Sequence, residues 1–259
     1  LASGIVASGS SLGLVLSEPL VPRIIAHSGE TGWRIAWYVF AAATVVIAFI
    51  NLVVMRNRPA ASVGLSASPR PALDWRRIVS SRYAWHLGSV YMLWGYAYMV
   101  YFVFFQKRLI HDLGFTSEEA GSLFLALGLT SLICGVVWGW TSDRIGRRET
   151  MVLLLLLEAI ASALFAFWPT KLGLIVSAGV FGLTALSFIG LVGAACGDRF
   201  GAVLAPASLG FVTLFVGIGQ AIGPVVAGRI GDAFSSFAHA YAMSAGVFVL
   251  AAVLAVSLS

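Results

Sequence analysis

Eight apolar runs, each about as long as a bilayer's hydrocarbon core is thick, dominate this chain. Crossing roughly 30 Å of hydrocarbon takes about 20 helical residues. Runs of that order occupy residues 2–21, 33–55, 84–105, 120–140, 151–168, 172–195, 205–227 and 238–259. None alternates polar with apolar as a lipid-facing strand does, and lipid offers no partner to an open backbone, so each run is predicted to be a helix. Composition points the same way: 59% of the 259 residues are apolar and 10% charged, with a mean hydropathy of +0.95. A soluble domain carries about a quarter charged residues. The fold class predicted is all-α, a polytopic bundle of eight transmembrane helices.

The net charge of +5 sorts by loop rather than marking a nucleic-acid surface. Counting alternate connections, one side holds Arg56, Arg58, Arg70, Arg76, Arg77, Arg82, Arg144, Arg147, Arg148 and Arg199. The other holds Arg23, Arg34, Lys107, Arg108, Lys171 and Arg229. The positive-inside rule puts the first, more basic set in the cytoplasm together with the C-terminus. Residues 56–82 collect Pro59, Pro69, Pro71 and six arginines against the single acid Asp74, the composition of a linker. Its end, with Trp75, Ile78 and Val79 opposite Arg76, Arg77 and Arg82, is amphipathic and suited to anionic headgroups. Cys134 and Cys196 fall in or beside apolar runs and read as buried thiols rather than a disulfide.

Between the fourth and fifth runs, Gly139, Asp143, Arg144, Gly146, Arg147 and Arg148 stand in the order G-x-x-x-D-R-x-G-R-R. A glycine and dense charge let two helices reverse within a few residues at a membrane face. On the seventh run Gly219, Gly223, Pro224 and Gly228 combine close-approach positions with a helix-bending proline. Gly9 and Gly13 repeat the four-residue step on the first run. The loop resembles the signature of the major facilitator superfamily (MFS), and the glycines resemble that family's glycine-proline pattern. The resemblance implies the last eight helices of a twelve-helix transporter. Residues 1–55 would end the N-terminal half, 56–82 would be the cytoplasmic linker, and 83–259 would form the C-terminal six-helix half. It further implies that Asp143 faces the amino end of the first helix and that Arg147 braces it, closing an inner gate. Gly9, Gly13, Gly219, Gly223 and Pro224 are expected at helix contacts.

Two acids lie in apolar runs, Glu158 and Glu18, and an ionisable group inside a membrane is a functional candidate by default. Each reads either as a proton carrier or as a structural or interfacial acid. Tyr91, Trp94, Tyr98 and Tyr101 share one face of the third run. With Gln220 they are candidates for the substrate path, the alternative being an aromatic packing seam. A formal G-x-S-x-G at residues 9–13 sits inside an apolar run, where a hydrolase elbow has no strand-to-helix turn. The expectation is a monomeric secondary transporter in a bacterial inner membrane, not an enzyme, with no cofactor, metal or nucleic acid. Its partners would be the lipid bilayer, a small polar or anionic organic solute and protons. The alternatives are a non-transporting membrane scaffold and an inactive truncated transporter product.

Overall fold

A computed structural model of the chain describes residues 2–54 and 74–258. Most of the linker, residues 55–73, lies outside this set, as do several side chains of the first helix, Glu18 and Pro19 among them. Every regular element described is helical. They are α1 (Ala2–Ser28), α2 (Gly32–Val54), α3 (Trp75–Val79), α4 (Arg82–Lys107), α5 (Ser117–Ile145), α6 (Arg147–Phe167), α7 (Lys171–Phe234) and α8 (Ala238–Val256). Six of them, α2 and α4 to α8 without α3, are long and apolar enough to cross a membrane.

Polar side chains at helix ends set where the helices begin. Thr116 and Glu119 form a reciprocal capping box at the start of α5, and the Thr170 hydroxyl accepts from the Gly173 amide at the start of α7. Within α7, which runs 64 residues, Gly201 breaks the helix at φ 74° and ψ 166°. The residues on either side show what the break does. Tyr101, Tyr98 and Trp94 of α4 meet Ser177, Phe181 and Phe188 in turn, so the first arm of α7 runs antiparallel to α4. Met92 and Tyr96 meet Gly219 and Gly223, so the second arm runs parallel to it. The chain therefore doubles back at a single residue, and the sequence expectation of a connecting loop between 195 and 205 is replaced by a one-glycine turn.

By the same bookkeeping α6 runs with α4, and α5 and α8 run against it. Arg108 reaches the carbonyls of Phe165 and Ala166. Ser244 donates to Ala97 O and Tyr241 to Tyr101 O. Six apolar segments thus alternate in direction, counting each arm of α7. One end of this bundle carries the starts of α4 and α6, the end of α5 and the Gly201 turn. The short α3 sits at that end, with Ile78 fully buried against Ala84, Phe200 and Leu204. The amphipathic stretch seen in the sequence therefore presents Ile78 to protein, while Trp75 and Val79 stay half-exposed.

The chain divides into two compact units. One comprises Leu1–Val15 with Asp74–Ser259, the other Leu16–Leu73. In the first, the start of α1 packs on α5: the Ser11 hydroxyl donates to Ser131 O at 2.9 Å and Val15 lies against Gly128. In the second, Gly32 at the start of α2 lies against the Ile25 backbone of α1.

Candidate functional site

The charged loop takes its shape from two turns of the same sequence type. Asp143, Arg144, Ile145 and Gly146 spell D-R-x-G, and so do Asp198, Arg199, Phe200 and Gly201. Both glycines hold positive φ with extended ψ, Gly146 at φ 102° and ψ 158°, a region that side chains avoid. Both arginines lie over an aromatic ring, Arg144 on Trp140 and Arg199 on Tyr83. Arg147 joins the two turns. Its Nη1 donates to Asp143 Oδ1 at 2.7 Å and to Ser142 Oγ at 2.6 Å, and its Nε donates to Asp198 Oδ2 at 3.0 Å. Arg148 pairs with Glu149 instead, and Gly139 sits on the last turns of α5, half-buried. Both aspartates are solvent-exposed, so the pairs contribute little to stability; what they do is bring the ends of α5 and α6 and the Gly201 turn into one contact. A cavity of about 250 Å³ opens beside them, lined by Tyr83, Arg147, Arg148, Asp198 and Arg199 among others.

The antiparallel register of α1 on α5, Ser11 at Ser131 and Val15 at Gly128, runs the start of α1 toward the Asp143 end. Asp198 and Ser142 were not singled out in the sequence. The repeated D-R-x-G was the signal that would have found Asp198.

In the middle of the bundle the aromatic face of α4 is a seam against the first arm of α7. Trp94 stacks on Tyr91, Tyr98 and Phe188 with centroids 5.4, 4.8 and 5.1 Å away. Tyr101 stacks on Phe181 at 3.6 Å and shares a hydrogen bond of 2.7 Å with Ser177 Oγ. Trp94 and Tyr101 are fully buried and Tyr91 almost so, while Tyr98 is half-buried at the edge of the stack. Gln220, also half-buried, abuts Gly95 from the second arm of α7, whereas the rings stack on the first.

Glu158 of α6 is fully buried, and among the described residues neither carboxyl oxygen has a hydrogen-bond partner. The indole of Trp94 is the polar group beside it, its N–H likewise without a partner. Glu18 belongs to α1, outside the described side chains.

The glycines divide. A β-carbon at Gly219 or Gly223 would collide with the backbone of Met92 or Tyr96, so α4 and the second arm touch main chain to main chain just before Pro224. Among the described residues nothing lies within 4 Å of a β-carbon built at Gly9 or Gly13, so the helix contact expected at these two is not found there.

At the opposite end of the bundle lies a site the sequence did not reveal. The chain leaves α4 through a π-helical turn, Arg108–Asp112. Arg108 is buried to 2% exposure there and donates to Phe165 O, Ala166 O and Asp112 Oδ2. Asp112 Oδ2 in turn accepts from Phe237 N and Ser236 Oγ. One ion pair thereby holds carbonyls near the end of α6 and the amide of Phe237, the residue that precedes α8.

Up-and-down helices, six of them long and apolar enough to cross a bilayer, mark a polytopic membrane protein. The chain belongs to the MFS: the family described as "Uncharacterised MFS-type transporter YbfB" matches residues 2–256. The MFS-type transporter hasB of Aspergillus fumigatus is 29% identical over 260 residues, taking in 90% of this chain and 54% of that protein. Multidrug resistance protein 1 of Bacillus subtilis is 26% identical over 143 residues, 54% of this chain and 37% of that protein. Among solved structures, the E. coli fucose:proton symporter FucP superposes with a TM-score of 0.67 at 15% identity, over 86% of this chain and 54% of that one. FucP in the outward conformation gives 0.66 at 14% identity, over 88% and 55%. These two likenesses show the fold. The chain spans about half the length of hasB and of FucP. Its relatives and fold are those of membrane transporters, which are not enzymes.

Proposed function

We propose that the protein is a secondary active transporter moving a small polar or anionic organic solute by alternating access, coupled to protons and acting as a monomer in a bacterial inner membrane. The observation that carries the transporter reading is the family match over residues 2–256. In this reading α1, α2 and the six segments from α4 to α8 are eight spans. Residues 1–55 close one six-helix half, 56–82 link the halves in the cytoplasm, and 83–259 are the other half, its C-terminus cytoplasmic. Gly139, Asp143, Arg144, Gly146, Arg147 and Arg148 act as the gating loop at the inner face. The substrate path runs past Tyr98 and Gln220, the half-buried members of their sets, with Tyr91, Trp94 and Tyr101 behind them.

Glu158 carries the proton, with Glu18 a second candidate. A carboxylate with no partner is strongly disfavoured inside a helix bundle. A group that holds its proton there and loses it elsewhere in the cycle links chemistry to conformation.

The test is reconstitution into proteoliposomes containing a pH-sensitive dye, with a panel of small organic anions and polar solutes. A solute gradient is expected to move protons, and Glu158→Gln to lose uphill accumulation while keeping downhill exchange. Undiminished uphill uptake in Glu158→Gln would remove this acid from coupling. Absence of flux for every solute would favour a non-transporting scaffold or an inactive product.

A further inference from the structure

The described core contains few polar atoms without partners, and two of them face each other across different helices. They are the indole nitrogen of Trp94 on α4 and the carboxyl of Glu158 on α6, both on side chains fully buried. A buried indole N–H ordinarily finds an acceptor, and a buried carboxylate ordinarily finds donors. Here donor and acceptor are neighbours with no hydrogen bond of ordinary geometry made at either, and an ionised carboxyl in that place would need one.

We propose that Trp94 is the positioning residue for Glu158, its N–H closing on the carboxylate when the proton leaves and releasing it when the proton returns. On closing, the carboxyl O–H bond breaks and the proton passes to water. The ionised oxygen then accepts from the indole, and charge-assisted bonds of this kind are about twice as strong as neutral ones. The ring cannot move alone. It is stacked on Tyr91 and Tyr98 of its own helix and on Phe188 of α7, so a tilt toward α6 shifts the seam between α4 and the first arm of α7. Among the described residues, the ionisable side chain that shares this surrounding is Tyr98 from α4. The helices α7 and α8 also pack on α6. Protonation thereby becomes a displacement of the helix contact that borders Tyr98. The inference rests on the reading of Glu158 as a proton carrier and adds the side chain through which it acts.

Fluorine NMR of the protein carrying fluorotryptophan in lipid nanodiscs tests it without a known substrate. The resonance lost in Trp94→Phe identifies the position among the eight tryptophans. That resonance is expected to shift with pH in the parent protein and to lose the shift in Glu158→Gln, while the other tryptophans keep their behaviour. Tyr98→Phe, which keeps the ring, is expected to preserve the shift. A Trp94 resonance that ignores pH, or that titrates equally in Glu158→Gln, would overturn the proposal. The two readings fail separately. If accumulation is lost in Glu158→Gln while Trp94 stays silent, the positioning role falls and the proton carrier stands. A Glu158-dependent shift at Trp94 with normal accumulation in Glu158→Gln keeps the positioning role and ends the coupling reading.

Discussion

Arg108 is the residue whose role changes most between sequence and structure. Sorted by loop it is one cation among several outside the apolar runs, because a sequence does not distinguish a buried cation at a helix end from a solvated one. The four-residue step to Asp112 was the available sign, since that spacing puts both on one helical face. In the structure the side chains of this pair are 3% and 6% exposed and tie three helix ends together. Truncating one partner of a buried ion pair typically costs about 3–5 kcal/mol. Arg108→Met is therefore expected to lower the denaturation midpoint of the solubilised protein sharply. The double variant Arg108→Met with Asp112→Asn should recover part of the loss, because no unpaired charge is left inside. A double variant as unstable as the sum of the two single ones would show that the two residues act independently. Glu158 was legible as an acid within an apolar run, but its nearness to Trp94 was not, because residues 94 and 158 lie 64 positions apart on different helices.

At the scale of elements, the apolar runs gave the helices and their order because hydrocarbon length and backbone satisfaction leave few other choices. They did not give the turn at Gly201, since ten residues of mixed character between two runs read as a loop. Its dihedral angles lie where essentially only glycine is found, and a side chain there costs about 1–3 kcal/mol. Among the described residues nothing lies within 4 Å of a β-carbon built at Gly201, so the penalty would be one of conformation alone. Gly197→Ala, four residues earlier in a helical stretch with equally open space, should instead be neutral or stabilising by up to about 1 kcal/mol. Midpoints of opposite sign for Gly201→Ala and Gly197→Ala would confirm the turn, and equal behaviour would count against it. The aromatic spacing on α4 did announce a shared face. What it could not announce was the partner, the first arm of α7, since period alone does not say whether rings meet lipid, protein or a cavity.

For the whole molecule the direction in the membrane is the first thing to establish. Ser80 lies exposed beside α3 at the arginine-rich end, and Ser117 lies exposed at the start of α5 at the opposite end. Cys134 and Cys196 are buried, so the natural thiols give little background. Single cysteines at Ser80 and Ser117 are expected to react with a membrane-impermeant reagent from opposite sides, Ser80→Cys from the cytoplasmic one. Labelling of both from the same side would reject the topology, and labelling from the reversed sides would reject the orientation.

The turn at Gly201 also bears on where the chain tolerates change. A reversal achieved by one residue has no slack, so any residue added there shifts one arm of α7 against the other. An epitope or a protease site spliced in at this position would relieve that constraint and with it the register between the two arms.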